Sequence, residues 1–319
     1  MFFLKNFLSF LFVAVPILIS VAYLTLAERK IMGSMQLRIG PSTVGFLGLL
    51  QPLIDGLKLL LKETILPTNS NVFGFILAPI IAFFLSLLSW CLIPFSFNSF
   101  VLDLNLSLLL LFVFSSLNVY SIIFSGWFSN SRYAFFGAIR SASQLISYEV
   151  CFSLILMSTF LTVSSLNILD VVYFQLNIPF FLPYFPLFLM FLITILAETN
   201  RAPFDLPEAE SELVSGFNVE YAAMGFALFF LAEYSSIILM SCVTVLIFIG
   251  GWFLFGFTNY VFFSLKAAFL LFFFVWVRAS FPRYRIDQLM RLCWKIFLPL
   301  SLSFLIFFLV ILSYTKTLL

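Results

Sequence analysis

Histidine is absent from all 319 residues. That excludes bis-histidine haem, most copper and zinc sites, and imidazole acid–base catalysis. Charge is scarce too: Asp, Glu, Lys and Arg make up 9% of the chain, far below the share in soluble domains. The four cysteines, Cys91, Cys151, Cys242 and Cys293, lie far apart inside apolar stretches. With no CxxC pair they argue against iron–sulfur ligation or a disulfide framework and read as small packing residues. No GxGxxG or GxxxxGK[ST] occurs, so neither a dinucleotide nor a nucleoside triphosphate is expected here. No metal site is expected, and a net charge of +2 gives no reason to expect nucleic acid.

What remains is hydrocarbon. The chain is 63% hydrophobic, with 47 phenylalanines that read as lipid-facing filler or as the compositional bias of an organellar genome. Apolar runs recur with no polar linker between them, so residues 1–319 are read as one integral membrane domain of all-α class. Eight spans are expected, at about 7–27, 72–94, 101–124, 141–164, 180–198, 221–249, 257–277 and 292–313. The first has no small-residue cleavage site and is read as a retained helix. The fifth is crowded at its start by Pro179, Pro183 and Pro186, which a helix tolerates only in its first turn. Residues 52–63 form a separate short helix. Asp55, Lys58 and Lys62 share one face, leucines cover the rest, and Pro52 suits the first turn, so it is expected to lie in the membrane interface.

Topology follows from the loops. Those after spans 1, 3, 5 and 7 carry Arg29, Lys30, Arg38, Lys58, Lys62, Arg132, Arg140, Arg201, Arg278, Arg283, Arg285 and Arg291, whereas those after spans 2, 4 and 6 carry no lysine or arginine. The positive-inside rule places the first set on the cytoplasmic or matrix side and both termini opposite. Against that bias, residues 198–220 hold Glu198, Asp205, Glu208, Glu210, Glu212 and Glu220, six of the chain's 14 acids, with Arg201 alone to balance them. Interleaved Phe204, Leu206, Leu213, Val214 and Phe217 point to a packed segment. Asp205, Glu208 and Glu212 fall at helical spacing, close enough to share protons. Arg201, Arg278, Arg283 and Arg285 are candidate counter-ions, and plain structural ion pairing is the other reading.

Two further acids lie inside spans. Glu149 sits roughly 11 Å into span 4 and Glu233 roughly 18 Å into span 6, near the midplane, where a carboxylate costs at least ~2.5 kcal/mol. Each reads either as part of a proton pathway or as a neutral acid hydrogen-bonded to its neighbour, Tyr148 or Tyr234. Lys266 is open between a midplane position and snorkelling to the surface.

Four segments carry a resemblance: LAERKIMGSMQLRIGPSTVGFLGLLQPLIDGLKLLLKE (26–63), YSIIFSGWFSNSRYAFFGAIRSASQLISYEV (120–150), AETNRAPFDLPEAESELVSGFNVEYAAMGFALFFLAEY (197–234) and VRASFPRYRIDQLM (277–290). Together they resemble the chain 1 family of NADH:ubiquinone oxidoreductase, the quinone-site membrane subunit of respiratory complex I. The lack of histidine and the high phenylalanine content are similar to a mitochondrially encoded member. The leucine run Leu59–Leu61, where an aromatic would be expected, departs from the pattern in lipid-facing filler only.

The resemblance implies a chain of the mitochondrial inner membrane, with the acidic loop on the matrix side. Ubiquinone would be its substrate, admitted through a tunnel whose matching positions are Glu28, Arg29, Arg38, Asp55, Phe217, Arg278, Arg283 and Arg285. The loop acids Glu198, Asp205, Glu208, Glu210, Glu212 and Glu220, with Arg201, would link quinone chemistry to proton pumping. Glu149 and Glu233, beside Tyr148 and Tyr234, would be the next steps into the membrane. The resemblance also implies that this chain binds no cofactor. NAD, FMN and iron–sulfur clusters would belong to partner subunits: hydrophilic ones on the matrix side, with small and antiporter-like ones in the membrane, and lipids around them. Rival readings are the anchor of a membrane-bound hydrogenase, a secondary cation or organic-acid transporter, and a passive scaffold. A transporter should show inverted repeats, and none is visible.

Overall fold

Lipid offers backbone groups no hydrogen-bond partner, so a chain this apolar has to satisfy its amides within helices. A computed structural model describes residues 2–96, 100–176, 178–205, 216–254 and 257–318. Among them are α1 (Phe2–Met35), α2 (Gln51–Leu61), α3 (Val72–Ser89), α4 (Ser107–Phe128), α5 (Arg132–Val163) and α6 (Ile168–Phe174). There follow α7 (Phe185–Glu198), α8 (Ala223–Phe248), α9 (Tyr260–Ser280) and α10 (Ile286–Arg291), which runs through a π segment, Leu292–Phe297, into α11 (Leu298–Leu318). The described β structure is one two-residue antiparallel ladder pairing Phe253 with Thr258 and Leu254 with Phe257.

Seven of these helices are long and apolar enough to cross a membrane. α8 forms the core, with 78% of its most apolar window buried, against 11% for Ile286–Tyr314. It packs on α1, α3 and α9, while α5 lies between α4, α7 and α11.

Several boundaries differ from the sequence reading. α7 starts at Phe185, and its 14 residues reach about 21 Å, short of a ~30 Å hydrocarbon core. The prolines hold residues 179–184 in turns, which dock on the core where Phe181 N–H donates to the Phe248 carbonyl at 2.9 Å. Arg132 and Arg140 lie on α5 rather than in a loop, since nothing after the extended Ser131 breaks the helix. Glu28, Arg29 and Lys30 likewise belong to α1, which continues to Met35.

Between helices in lipid the hydrophobic effect gives little, and close approach decides packing. A Cβ added to Gly126 on α4 would lie 2.3 Å from the Ala138 Cβ on α5. One added to Gly137 would lie 2.7 Å from the Gly216 Cα, so α5 touches the backbone of the segment leading into α8. Gly126→Ala is therefore expected to cost about 1–3 kcal/mol through overpacking. Gly56→Ala on α2, where an added Cβ meets nothing within 4 Å, should be neutral or gain up to ~1 kcal/mol. Thermal unfolding of the two variants checks the contrast. Serine hydroxyls in the core return to their own helices: Ser125 Oγ donates to the Ile122 carbonyl at 2.7 Å and Ser241 Oγ to Ile238 at 2.6 Å. Such serines add no unpaired polar group to the interior.

Candidate functional site

Glu28, late in α1, is 5% exposed. Three elements converge on it. Tyr234 Oη, from α8, donates to Oε2 at 2.6 Å. Arg201, just beyond α7, reaches Oε1 at 3.4 Å, and Arg278, at the end of α9, ion-pairs with the same oxygen. The Arg201 guanidinium also lies 4.3 Å over the Tyr234 ring. Burial alone would push the Arg201 pKa down. Its interactions with Tyr234 and Glu28 outweigh that and hold it above the ordinary arginine value, so the guanidinium stays charged. A cavity of about 20 Å³ beside this cluster is bordered by Glu28, Arg201, Tyr234 and Arg278, enough for a single water.

The other residues grouped with Glu28 on sequence grounds separate from it. Arg29 turns outward to pair with Asp55 of α2 at 2.8 Å, both partners substantially exposed. Gln51 Nε2 holds the second Asp55 oxygen at 2.9 Å. Lys30 Nζ donates to the Leu47 carbonyl. These contacts tether α2, none of whose residues is buried within the chain. Arg38 is exposed and donates to Gln36 at 2.9 Å. Arg285 is also exposed, with its backbone N–H on Gln288 Oε1 at 3.4 Å.

Of the four arginines considered as counter-ions for the acidic segment, Arg283 takes that role among the described residues, pairing with the buried Asp205 at 3.1 Å. Phe204 stacks on Tyr284 with ring centroids 5.6 Å apart, and Tyr284 N–H donates to the Pro203 carbonyl at 3.0 Å. Gln144, wholly buried on α5, donates from Nε2 to the carbonyls of Ala197 and Phe204 at 2.9 and 2.8 Å. That amide fixes the end of α7 and the turn after it against α5. Glu208, Glu210 and Glu212 lie outside the described residues. Glu220 is half-buried, and the next residue, Tyr221, donates to the Phe75 carbonyl at 3.1 Å. Burial pushes the Tyr221 phenol up, so it remains protonated.

A second site lies deeper. Glu198 ends α7, and its Oε2 is buried without a hydrogen-bond partner. Two small cavities of about 40 and 50 Å³ flank it, both bordered by Ser115, Asn118, Thr199 and Ser236, and each has room for water. The first also touches Glu233 and Phe217. Ser115 Oγ donates to Glu149 Oε1 at 3.2 Å, and Glu149 is near enough to Glu198 for their charges to interact. Glu198 thus borders both cavities and Glu233 the first, while Glu149 is linked to them through Ser115, which borders both.

Two sequence assignments change. Tyr148 donates to the Leu289 carbonyl at 3.2 Å, leaving Glu149 to Ser115, and Tyr234 serves Glu28 instead of its neighbour Glu233. Successive helical residues point about 100° apart, so adjacent side chains rarely meet. Phe217 borders the Glu198 cavity. The sequence reading missed Ser115, Asn118, Gln144 and Ser236; an amide or hydroxyl inside an apolar run was the available signal. No cluster of metal-ligating side chains is found among the described residues.

The family model for "NADH dehydrogenase" matches residues 8–309. The "NADH-ubiquinone oxidoreductase chain 1" of Chondrus crispus is 56% identical over 310 residues, 95% of each chain. An NADH-quinone oxidoreductase subunit of the bacterium Paramagnetospirillum magneticum is 56% identical over 300 residues, 92% of this chain and 88% of its own. The chain 1 protein of Arabidopsis thaliana is 55% identical over 298 residues, covering 91% and 92%.

Proposed function

The chain belongs to the NADH dehydrogenase family, and from that premise we propose that it is a core membrane subunit of an NADH:quinone oxidoreductase, coupling ubiquinone reduction to proton translocation. Relatives named for quinone oxidoreduction in algae, plants and bacteria support the coarser part of this reading. In it the chain lies in the mitochondrial inner membrane, with its charged end towards the matrix. Electrons come from NAD, FMN and iron–sulfur centres of hydrophilic partners, and protons continue towards antiporter-like partners in the membrane.

Quinone takes up two electrons and two protons to become quinol, so its reduction draws in protons and creates transient negative charge. The basic groups Arg201, Arg278 and Arg283 respond to that charge. Their acids, Glu28 and Asp205, hold them in place until it appears. Arg29 and Asp55 fasten α2 beside the entry from lipid. A change in charge around Glu28 is felt by Arg201 and Tyr234, and Arg201 interacts electrostatically with Glu233 in turn. From there Glu198 and Glu149 offer the next carboxyls.

The observation that carries the reading is the Glu198 carboxyl: buried, with a free oxygen, between two water-sized cavities that reach Glu233 and the serine bonded to Glu149. Glu198→Gln and Glu233→Gln keep size and hydrogen bonding but lose the exchangeable proton. Each is expected to lower quinone reduction and vesicle acidification together by about tenfold or more, in complexes that assemble normally. Unchanged coupled turnover in both variants would reduce the chain to a scaffold.

A further inference from the structure

Away from the ion cluster, α1, α8 and α9, with Trp90, Phe95 and Phe100 from the segment after α3, border an open chamber of about 1010 Å³, as large as the biggest small-molecule sites. We propose that it binds one acyl chain of a phospholipid from the leaflet opposite the ion cluster. Three observations converge on that occupant.

The wall is hydrocarbon. Phe12, Pro16, Ile238, Phe263 and Leu271 face the space, and among the described residues no acid or base borders it. Two of its hydroxyls are already engaged on their own helices: Ser20 Oγ donates to Ile17 at 2.7 Å and Ser264 Oγ to Val261 at 2.9 Å. The indole N–H of Trp90 has no partner but is buried out of reach, so a polar ligand would gain little here, whereas an alkyl chain gains dispersion contacts along the wall.

The depth fits one leaflet. From Tyr260 to Leu271 the α9 wall rises about 16 Å, close to half of a ~30 Å hydrocarbon core. The rim is accessible to lipid: Phe12 is 83% and Tyr260 69% exposed.

The inner end keeps a quinone ring from the charged residues. Leu271 borders both this chamber and the 20 Å³ cavity against Glu28 and Arg278. A quinone ring cannot pass a space that holds one water, so a tail in the chamber cannot place its ring at the charged residues. The occupant's polar end therefore lies at the far rim, beside Tyr260. The site is independent of the quinone reading and would exist in a scaffold as well.

The test uses the assembled complex in its membrane. One sample receives a phosphatidylcholine with a photoreactive diazirine in mid-chain; a second receives an isoprenoid quinone with the diazirine on its tail. The phospholipid is expected to label residues 12–20 and 260–271. Ala268→Trp, which fills the chamber, should cut that labelling by about tenfold or more without changing the labelling of α11. Ser264→Phe, on the same wall, covers the case in which the tryptophan variant fails to assemble. Labelling of these residues by the quinone probe, no phospholipid labelling, or labelling unchanged by the filling substitutions overturns the assignment.

Discussion

Glu28→Gln is expected to destabilise the helix bundle by about 3–5 kcal/mol, the cost of removing one partner from a buried ion pair. The amide keeps the shape of the acid and can still accept from Tyr234, so packing alone predicts almost no effect. The loss is electrostatic. Arg201, with a side chain 12% exposed, and Arg278, at 31%, would be left together without the anion they share. Arg278→Met should be milder, because that guanidinium already reaches solvent and Arg201 would still hold the carboxylate. The double variant Glu28→Gln/Arg201→Met should recover part of the loss, as replacing both members of a buried pair often does. Thermal unfolding and the yield of assembled complex provide the measurement. Equal melting temperatures for Glu28→Gln and the parent would show that the cluster holds nothing together.

Lys266→Met should be nearly as costly. Lys266 Nζ donates to three carbonyls past the end of α8: Ile249 at 2.8 Å, Gly251 at 3.0 Å and Phe253 at 2.5 Å. The ammonium has three donors and all three are used. It also places positive charge at a helix C-terminus, where the dipole favours it. Methionine fills similar volume but leaves the carbonyls unmet, at about 1–3 kcal/mol for each that stays buried. Gln175 would remain as the second clamp, with its amide on the Leu246 carbonyl at 2.9 Å and its oxygen accepting from Gly250 N–H at 3.0 Å. A total of about 3 kcal/mol follows, and faster hydrogen exchange at 249–253 should accompany it. Lys266→Arg should restore part of the protection. Unaltered exchange would refute the clamp.

These two lysine and glutamate sites mark how far the sequence could be read. Apolar run length revealed the membrane class and most of the long helices, because one physical demand, an amide satisfied in lipid, sets that pattern. Prolines gave warning at α7, yet their presence could not say how many residues would remain helical. The acids of the candidate site were visible as costly exceptions inside hydrocarbon. Their partners were not. Glu28 meets groups 173, 206 and 250 residues away, and nothing in local spacing selects Tyr234 for Glu28 over the adjacent Glu233. Lys266 was open between two positions for the same reason: its acceptors are backbone carbonyls beyond the end of another helix, which no side-chain pattern reports. Ser115 and Asn118 look like any polar residue of α4 until the cavities beside Glu198 give them a purpose.

The separation of Glu28 from its partners along the chain has a bearing on biogenesis. A ribosome adds about 5–20 residues per second, so Arg201, 173 residues further on, emerges on the order of ten to thirty-five seconds after the acid it neutralises. Until then the newborn first segment carries an unanswered carboxyl, favouring a protonated or insertase-shielded passage into the bilayer. A polypeptide terminated ahead of Arg201 would never lose that exposed blemish, which gives membrane proteases a chemical means of telling unfinished copies from complete ones.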